Sequence, residues 1–113
     1  MRNILLLAIF ALTACGDNEI PTTWGDAAQS WSEGWCSYYN RCFPADLQYE
    51  YGTYDGCVLS VKNRNCTVGA FDCADYYPEN REEFLTDCHN EMVALPCDAH
   101  SVPESCTIAF YGK

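Results

Sequence analysis

Eight cysteines, at positions 36, 42, 57, 66, 73, 88, 97 and 106, run through the body of this chain and constrain its fold more than any other feature. An even set in a short domain reads as a disulfide framework, which forms in an oxidising compartment. No two are spaced Cys-x-x-Cys, which argues against a thioredoxin-like redox site and against the common zinc knuckles. Between Trp24 and Lys113 there are 11 side chains of the Val, Leu, Ile and Met type against 15 aromatics. So sparse an aliphatic set makes a thin core, in which rings and sulfur supply much of the buried area. Closing a short loop by a disulfide contributes about 3 kcal/mol, so four of them are comparable in sum with the stability of a small domain.

The ninth cysteine, Cys15, stands apart. It follows a basic end, Met1-Arg2-Asn3, an apolar run from Ile4 to Leu12, and small residues. That order describes a secretory signal peptide over 1–14, and the run is too short to span a bilayer as a helix. Leu12-Thr13-Ala14-Cys15 resembles the lipobox of bacterial lipoproteins, in which the cysteine is lipidated and becomes the new N-terminus. The resemblance implies acyl chains on Cys15, above the two-chain threshold for stable membrane anchoring. With Gly16 in place of an aspartate after the cysteine, it implies the outer membrane, on its periplasmic or surface face. Residues 15–23 then form the lipidated end and a tether, since Gly16 to Thr22 has turn formers, two acids and no periodicity. Residues 24–113 form one cysteine-rich helical domain.

Periodicity within that domain is helical. Over Asp26–Cys42, Ala27, Ala28, Trp31, Trp35, Tyr38, Tyr39 and Cys42 fall on one face, and Gln29, Ser30, Glu33, Ser37, Asn40 and Arg41 on the other. Thr23 with Asp26 resembles a capping box, with Asp in place of Glu. Pro44 to Glu50 reads as a short helical turn ended by Gly52. A second helix is expected from an N-cap at Thr53 to about Asn65, with Tyr54, Cys57, Val58 and Val61 inward. Asn63 to Ala74 reads as an irregular loop. A third helix is expected from Pro78 or Asn80 to about Leu95, burying Phe84, Leu85, Cys88, Met92 and Leu95, with Pro96 as its stop. Cys97 to Cys106 reads as a loop, and Thr107 to Gly112 as a short extended tail. The fold class is therefore mainly α: a small antiparallel bundle of about three helices with irregular loops, stapled by disulfides.

Cys42 ends the first helix and Cys57 begins the second, so that pair fits the seam of a helical hairpin, and Cys36–Cys66 nests around it. Cys73–Cys88 and Cys97–Cys106 remain. Eight cysteines admit 105 connectivities, and helical spacing alone does not select among them.

A wider resemblance rests on the order of these features. A helix with two cysteines, Tyr51-Gly52, Cys57-Val58-Leu59, Cys66, the stretch from Cys88 to Leu95, and Cys97-Asp98 to Pro103-Glu104-Ser105-Cys106 resemble the small cysteine-rich predicted lipoproteins of myxobacteria and related lineages. The resemblance implies export, lipidation and a helical disulfide structure, and implies no particular chemistry.

Charge narrows the partners. The chain carries a formal charge of −10, and loss of Arg2 with a signal peptide makes it more negative still. Nucleic acid is not expected as a partner, because phosphate binding needs basic patches. Glu79, Glu83, Asp87 and Glu91 repeat at four-residue steps opposite the apolar face of the third helix. They read as a solvated face, or more sharply as a docking strip for a basic partner or loosely held Ca²⁺, with no EF-hand loop present. Tyr49, Tyr51, Tyr76 and Tyr77, placed in loops, are candidates for stacking on sugars, whereas Trp31, Trp35 and Tyr38 are assigned to the core. His89 and His100 read as ordinary surface histidines, and oxidised cysteines cannot ligate zinc beside them. No Gly-x-Ser-x-Gly, His-Glu-x-x-His or phosphate-cradling glycine loop occurs, so no catalytic residue, metal or cofactor is expected. The reading that follows is a membrane-anchored extracytoplasmic lipoprotein acting as a binding or structural module of the cell envelope, with an envelope protein as its partner. The alternatives are a tethered inhibitor or toxin-like effector and, more weakly, a small hydrolase using Asp98 or His100.

Overall fold

The computed structural model describes residues 22–67 and 72–112. The expected signal peptide, Cys15 and the tether up to Pro21 lie outside the described residues, as do 68–71 of the expected irregular loop.

Helix α1 spans Trp24–Cys42. It opens on the expected capping box: the Asp26 backbone N–H donates to Thr23 Oγ1 at 3.2 Å, and the Thr23 N–H donates to Asp26 Oδ2 at 3.1 Å. Two further N–H groups of its first turn are satisfied from elsewhere in the chain. Those of Trp24 and Gly25 donate to the carbonyls of Asp75 and Cys73 at 2.9 and 3.0 Å. Thr23 and Tyr76 form an isolated antiparallel bridge, and the Tyr77 N–H donates to the Thr22 carbonyl at 2.7 Å. Thr22 and Thr23, expected to close the tether, are thus part of the folded body.

Helix α2, Pro44–Tyr51, follows after Phe43 alone, with proline at its first position, where no N–H is missed. Gly52, at φ 84°, ends it by donating its N–H to the Gln48 carbonyl, in a conformation that favours glycine. Helix α3 spans Tyr54–Thr67, and Thr53 caps it through a bond from the Gly56 N–H at 3.0 Å. A 3₁₀ turn at Glu79–Arg81 leads into α4, Glu82–Val93. The helix stops short of the expected Leu95 because Pro96 disfavours helical geometry in the residue before it. Helix α5 spans Glu104–Tyr111, where a loop and an extended tail were expected. The described residues therefore hold five helices and no strand, rather than about three helices.

α1 lies between α3 on one side and α4 on the other, and α5 packs against α4. Gly34 lets α1 and α4 approach closely, since a methyl group there would sit 3.0 Å from Met92 Cβ. The layer between α1 and α3 holds Cys36, Leu47, Cys57, Val58 and Val61. The layer between α1, α4 and α5 holds Tyr38, Cys88, Met92 and Cys106 at one end and Ala27, Tyr77, Leu85 and Ala109 at the other. Because α1 is covered on two sides, Ser32 and Cys36, off its expected apolar face, are fully buried. The Ser32 hydroxyl donates to the Ala28 carbonyl at 2.7 Å, so its burial leaves no polar atom unpaired.

All eight cysteines of the domain are paired, in a pattern that corrects the expected one. The bonds are Cys36–Cys57, Cys42–Cys97, Cys66–Cys73 and Cys88–Cys106. In place of Cys42–Cys57, the start of α3 meets the middle of α1 at Cys36, because α2 occupies the space beside the end of α1. In place of Cys36–Cys66, the far end of α3 closes on Cys73 in the segment that caps α1. In place of Cys73–Cys88 and Cys97–Cys106, the unforeseen α5 carries Cys106 onto α4. Cys97 is then left beside the end of α1, where Cys42 binds it.

Candidate aromatic cleft

The positions i, i+4 and i+8 of a helix lie one above another, and on α1 they are Trp31, Trp35 and Tyr39. Their rings form a near-parallel row: Trp31 and Trp35 are inclined by 19° with centroids 6.2 Å apart, and Trp35 and Tyr39 by 17° at 5.8 Å. All three are half-buried. Expected as core, the tryptophans cover the α1–α3 layer with one part of each ring and line open hollows with another. Tyr38, on the neighbouring face, is buried as expected.

Two hollows flank this row. One, of about 390 Å³, is lined by Trp31, Trp35, Tyr39, Glu50, Tyr51, Val61, Arg64 and Asn65. The other, of about 350 Å³, lies between α5 and the end of α3 and includes Ala28, Val102, Thr107, Phe110 and Tyr111. They share Trp31 and Asn65 and so form one trough over α1. Phe110 meets Trp31 edge to face at 5.9 Å and sets the wall on the α5 side.

The polar groups of the trough divide into engaged and unengaged ones. The Tyr39 hydroxyl donates to Glu50 Oε1 at 2.7 Å. That bond to a carboxylate, with partial burial and the negative charges of Glu50 and Asp46, pushes the phenol up to about 12. Tyr51 packs edge to face on Tyr39, at 6.4 Å between centroids. Among the described residues, no hydrogen bond or ion pair engages the side chains of Arg64 and Asn65 or the two indole N–H groups. Among the described residues no buried side-chain nitrogen or oxygen lacks a partner, so these groups reach solvent. The trough thus joins an aromatic strip to a ring of available donors, with the Glu50 carboxylate as an acceptor.

The other sequence candidates lie elsewhere. Glu83, Asp87 and Glu91 are exposed on α4, while Glu79 sits in the 3₁₀ turn before it, so the four do not form one helical stripe. Glu91 accepts a bond from Ser105 Oγ at 2.7 Å. Among the described residues no group of three or more His, Cys, Asp or Glu side chains could hold a metal ion. His89 Nδ1 donates to the Ser30 carbonyl at 3.2 Å and ties α4 to α1. His100 and Asp98 are exposed in the loop before α5. Tyr49 and Tyr76 are exposed, at 91% and 74%. Tyr77 is buried instead, its hydroxyl donating to the Ala109 carbonyl at 2.6 Å, and burial raises its pKa to about 12.

The four disulfides suggest an oxidising, extracytoplasmic environment, and no described helix is long and apolar enough to cross a membrane. No protein family matches the chain, and neither a similar curated protein nor a similar solved structure is found.

Proposed function

We propose that this protein is an exported binding module of a bacterial cell envelope, anchored to the outer membrane through lipid on Cys15. It resembles a bacterial lipoprotein at Leu12-Thr13-Ala14-Cys15, and its helical body presents the trough over α1 to an envelope ligand. One observation carries the binding reading. Arg64, Asn65, Trp31 and Trp35, whose donors are unengaged, line one hollow of a body held by four cross-links. Polar groups held open beside apolar planes on rigid elements are what a preorganised ligand site requires. A tether as short as 16–21 would keep that surface close to the membrane.

A pull-down from outer-membrane extracts tests this, comparing the wild-type chain with Cys15→Ser and with a Trp35→Ala, Asn65→Ala double variant. The wild type should be recovered from the membrane fraction with a mass increment for acyl chains, together with a stoichiometric ligand. Cys15→Ser should leave the membrane fraction and keep the ligand, and the double variant should stay anchored and lose it. A wild-type protein without acyl mass overturns the anchor, and a ligand unaffected by the double variant overturns the site.

A further inference from the structure

The four disulfides differ in what surrounds them. Cys36–Cys57 and Cys88–Cys106 are sealed between helices, each of the four residues being no more than 3% exposed. Cys66 and Cys73 are both half-buried. In Cys42–Cys97, Cys42 is half-buried and Cys97 is exposed, so an outside thiol has its best access here. Arg41 sets the same bond apart a second time. Its Nη1 donates to Cys42 Sγ at 3.4 Å and to Cys97 Sγ at 3.7 Å, and its Nη2 donates to the Leu95 carbonyl at 2.7 Å, which fixes the guanidinium in place. The guanidinium also stands 5.9 Å from the centre of the Tyr38 ring. A bond from this cation to a neutral disulfide is weak, whereas the same N–H facing a thiolate is charge-assisted, so Arg41 favours the opened, ionised pair. A cation beside a cysteine lowers its thiol pKa, and a sulfur of lower pKa leaves faster in thiol–disulfide exchange.

We propose that Cys42–Cys97 is a thiol-exchange site, opened by a dithiol reductant while the other three disulfides stay closed. A thiolate of the reductant attacks Sγ of the exposed Cys97. The Cys42–Cys97 bond breaks, and its electron pair goes to Cys42 Sγ, where Arg41 pairs with the new thiolate. The reductant's second thiolate then attacks its own sulfur in the mixed disulfide and releases Cys97. The reductant departs as a disulfide, having given two electrons, and the protons of its two thiols pass to water or to the released sulfurs. The protein is the substrate of this exchange and not its catalyst, in keeping with the lack of a Cys-x-x-Cys pair. Opening unties the loop that follows α4 from the end of α1, leaving it only the bonds of Arg41 to Leu95 and of the Tyr38 hydroxyl to the Cys97 carbonyl at 3.5 Å. Cys88–Cys106 still holds α5 on α4. The site goes beyond the binding reading and does not depend on it.

The test treats the oxidised full chain in detergent with graded dithiothreitol, quenches it over time with excess iodoacetamide, and identifies the alkylated cysteines by peptide mass spectrometry. Cys42 and Cys97 should be alkylated together, about tenfold or more ahead of any other pair. At that stage the near-UV circular dichroism spectrum should be retained. Arg41→Met should slow the opening severalfold, an effect kept modest by solvent around the exposed guanidinium. Arg41→Lys, which keeps the charge without the fork, should fall between. A merely structural Arg41, acting as a strut on Leu95, predicts the reverse, since its loss would loosen the loop and speed the attack on Cys97. An equal or faster rate in folded Arg41→Met therefore overturns the role of the cation. The order of opening in the wild type needs no variant: earlier alkylation of Cys66 and Cys73, or simultaneous alkylation of all eight, overturns the site itself. Both readouts follow covalent state, so they stand whether or not the trough binds a ligand.

Discussion

Single residues in this protein are positioned by neighbours far away in the chain, and two tyrosines show it. Tyr77 lies among apparent loop residues, yet its ring packs edge to face on Trp24 at 4.8 Å and its hydroxyl reaches α5. Tyr39 lies on the rim of the trough and bonds Glu50 of α2. Both phenols are raised from 10.0 to about 12, Tyr77 by burial and Tyr39 first by its carboxylate partner. A phenol held protonated more firmly in the folded than in the unfolded chain contributes stability that is whole below about pH 10 and is lost as pH rises towards 12. Alkaline titration followed by phenolate absorbance should therefore show a late step near pH 12, reduced by half in Tyr77→Phe and by half in Tyr39→Phe. Unfolding midpoints should fall across the same interval, less so in Tyr77→Phe. The periodicity of α1 places Trp31 and Trp35 beside Tyr38, but it does not say that a neighbour covers Tyr38 completely and the indoles only in part. Ring accessibility depends on where α2 and α5 end, and no local pattern encodes that.

At the scale of elements, α1, α3 and α4 follow from local chemistry. Their caps, Thr23 with Asp26 and Thr53, are legible as dipeptide-scale signals, and Gly52 and Pro96 mark their neighbours' ends. α5 is the element that the sequence conceals. It is only eight residues long, contains β-branched Thr107 and Ile108, and has aromatic rings on more than one side, so helical propensity and amphipathic pattern are both weak. Its stability is tertiary: Ala109 is fully buried, and Cys106 is bonded to Cys88 of α4. Replacing both members of that pair by alanine should therefore cost about 3 kcal/mol on the loop-closure estimate. Hydrogen exchange should show amide protection lost first in α5, while α1 and α3 stay protected. Equal loss across all helices would show that α5 folds only as part of one cooperative unit.

The whole molecule depends on its cross-links because its core is thin. Apart from cysteines and rings, the buried apolar positions among the described residues are filled by a few aliphatic side chains, Leu47, Val58, Val61, Leu85 and Met92, with three alanines. Each disulfide ties together segments that burial alone holds weakly. Cys36–Cys57 fixes the α1–α3 layer, Cys88–Cys106 the α4–α5 layer, and Cys42–Cys97 ties the end of α1 to the loop that follows α4. In excess reductant the protein should unfold or become molten, with loss of the near-UV circular dichroism of its rings; a native-like spectrum would show that the aromatic layers hold the helices unaided. What the sequence determined by itself was the class of solution: an oxidised, helical, disulfide-stapled body, with its main helices and caps in place, since these depend on spacing, capping residues and cysteine number. The partner of each cysteine, the existence of α5 and the open aromatic trough were decided by tertiary structure alone. Each of them depends on which distant segment arrives beside a given helix face, and a one-dimensional period specifies the face but not its neighbour.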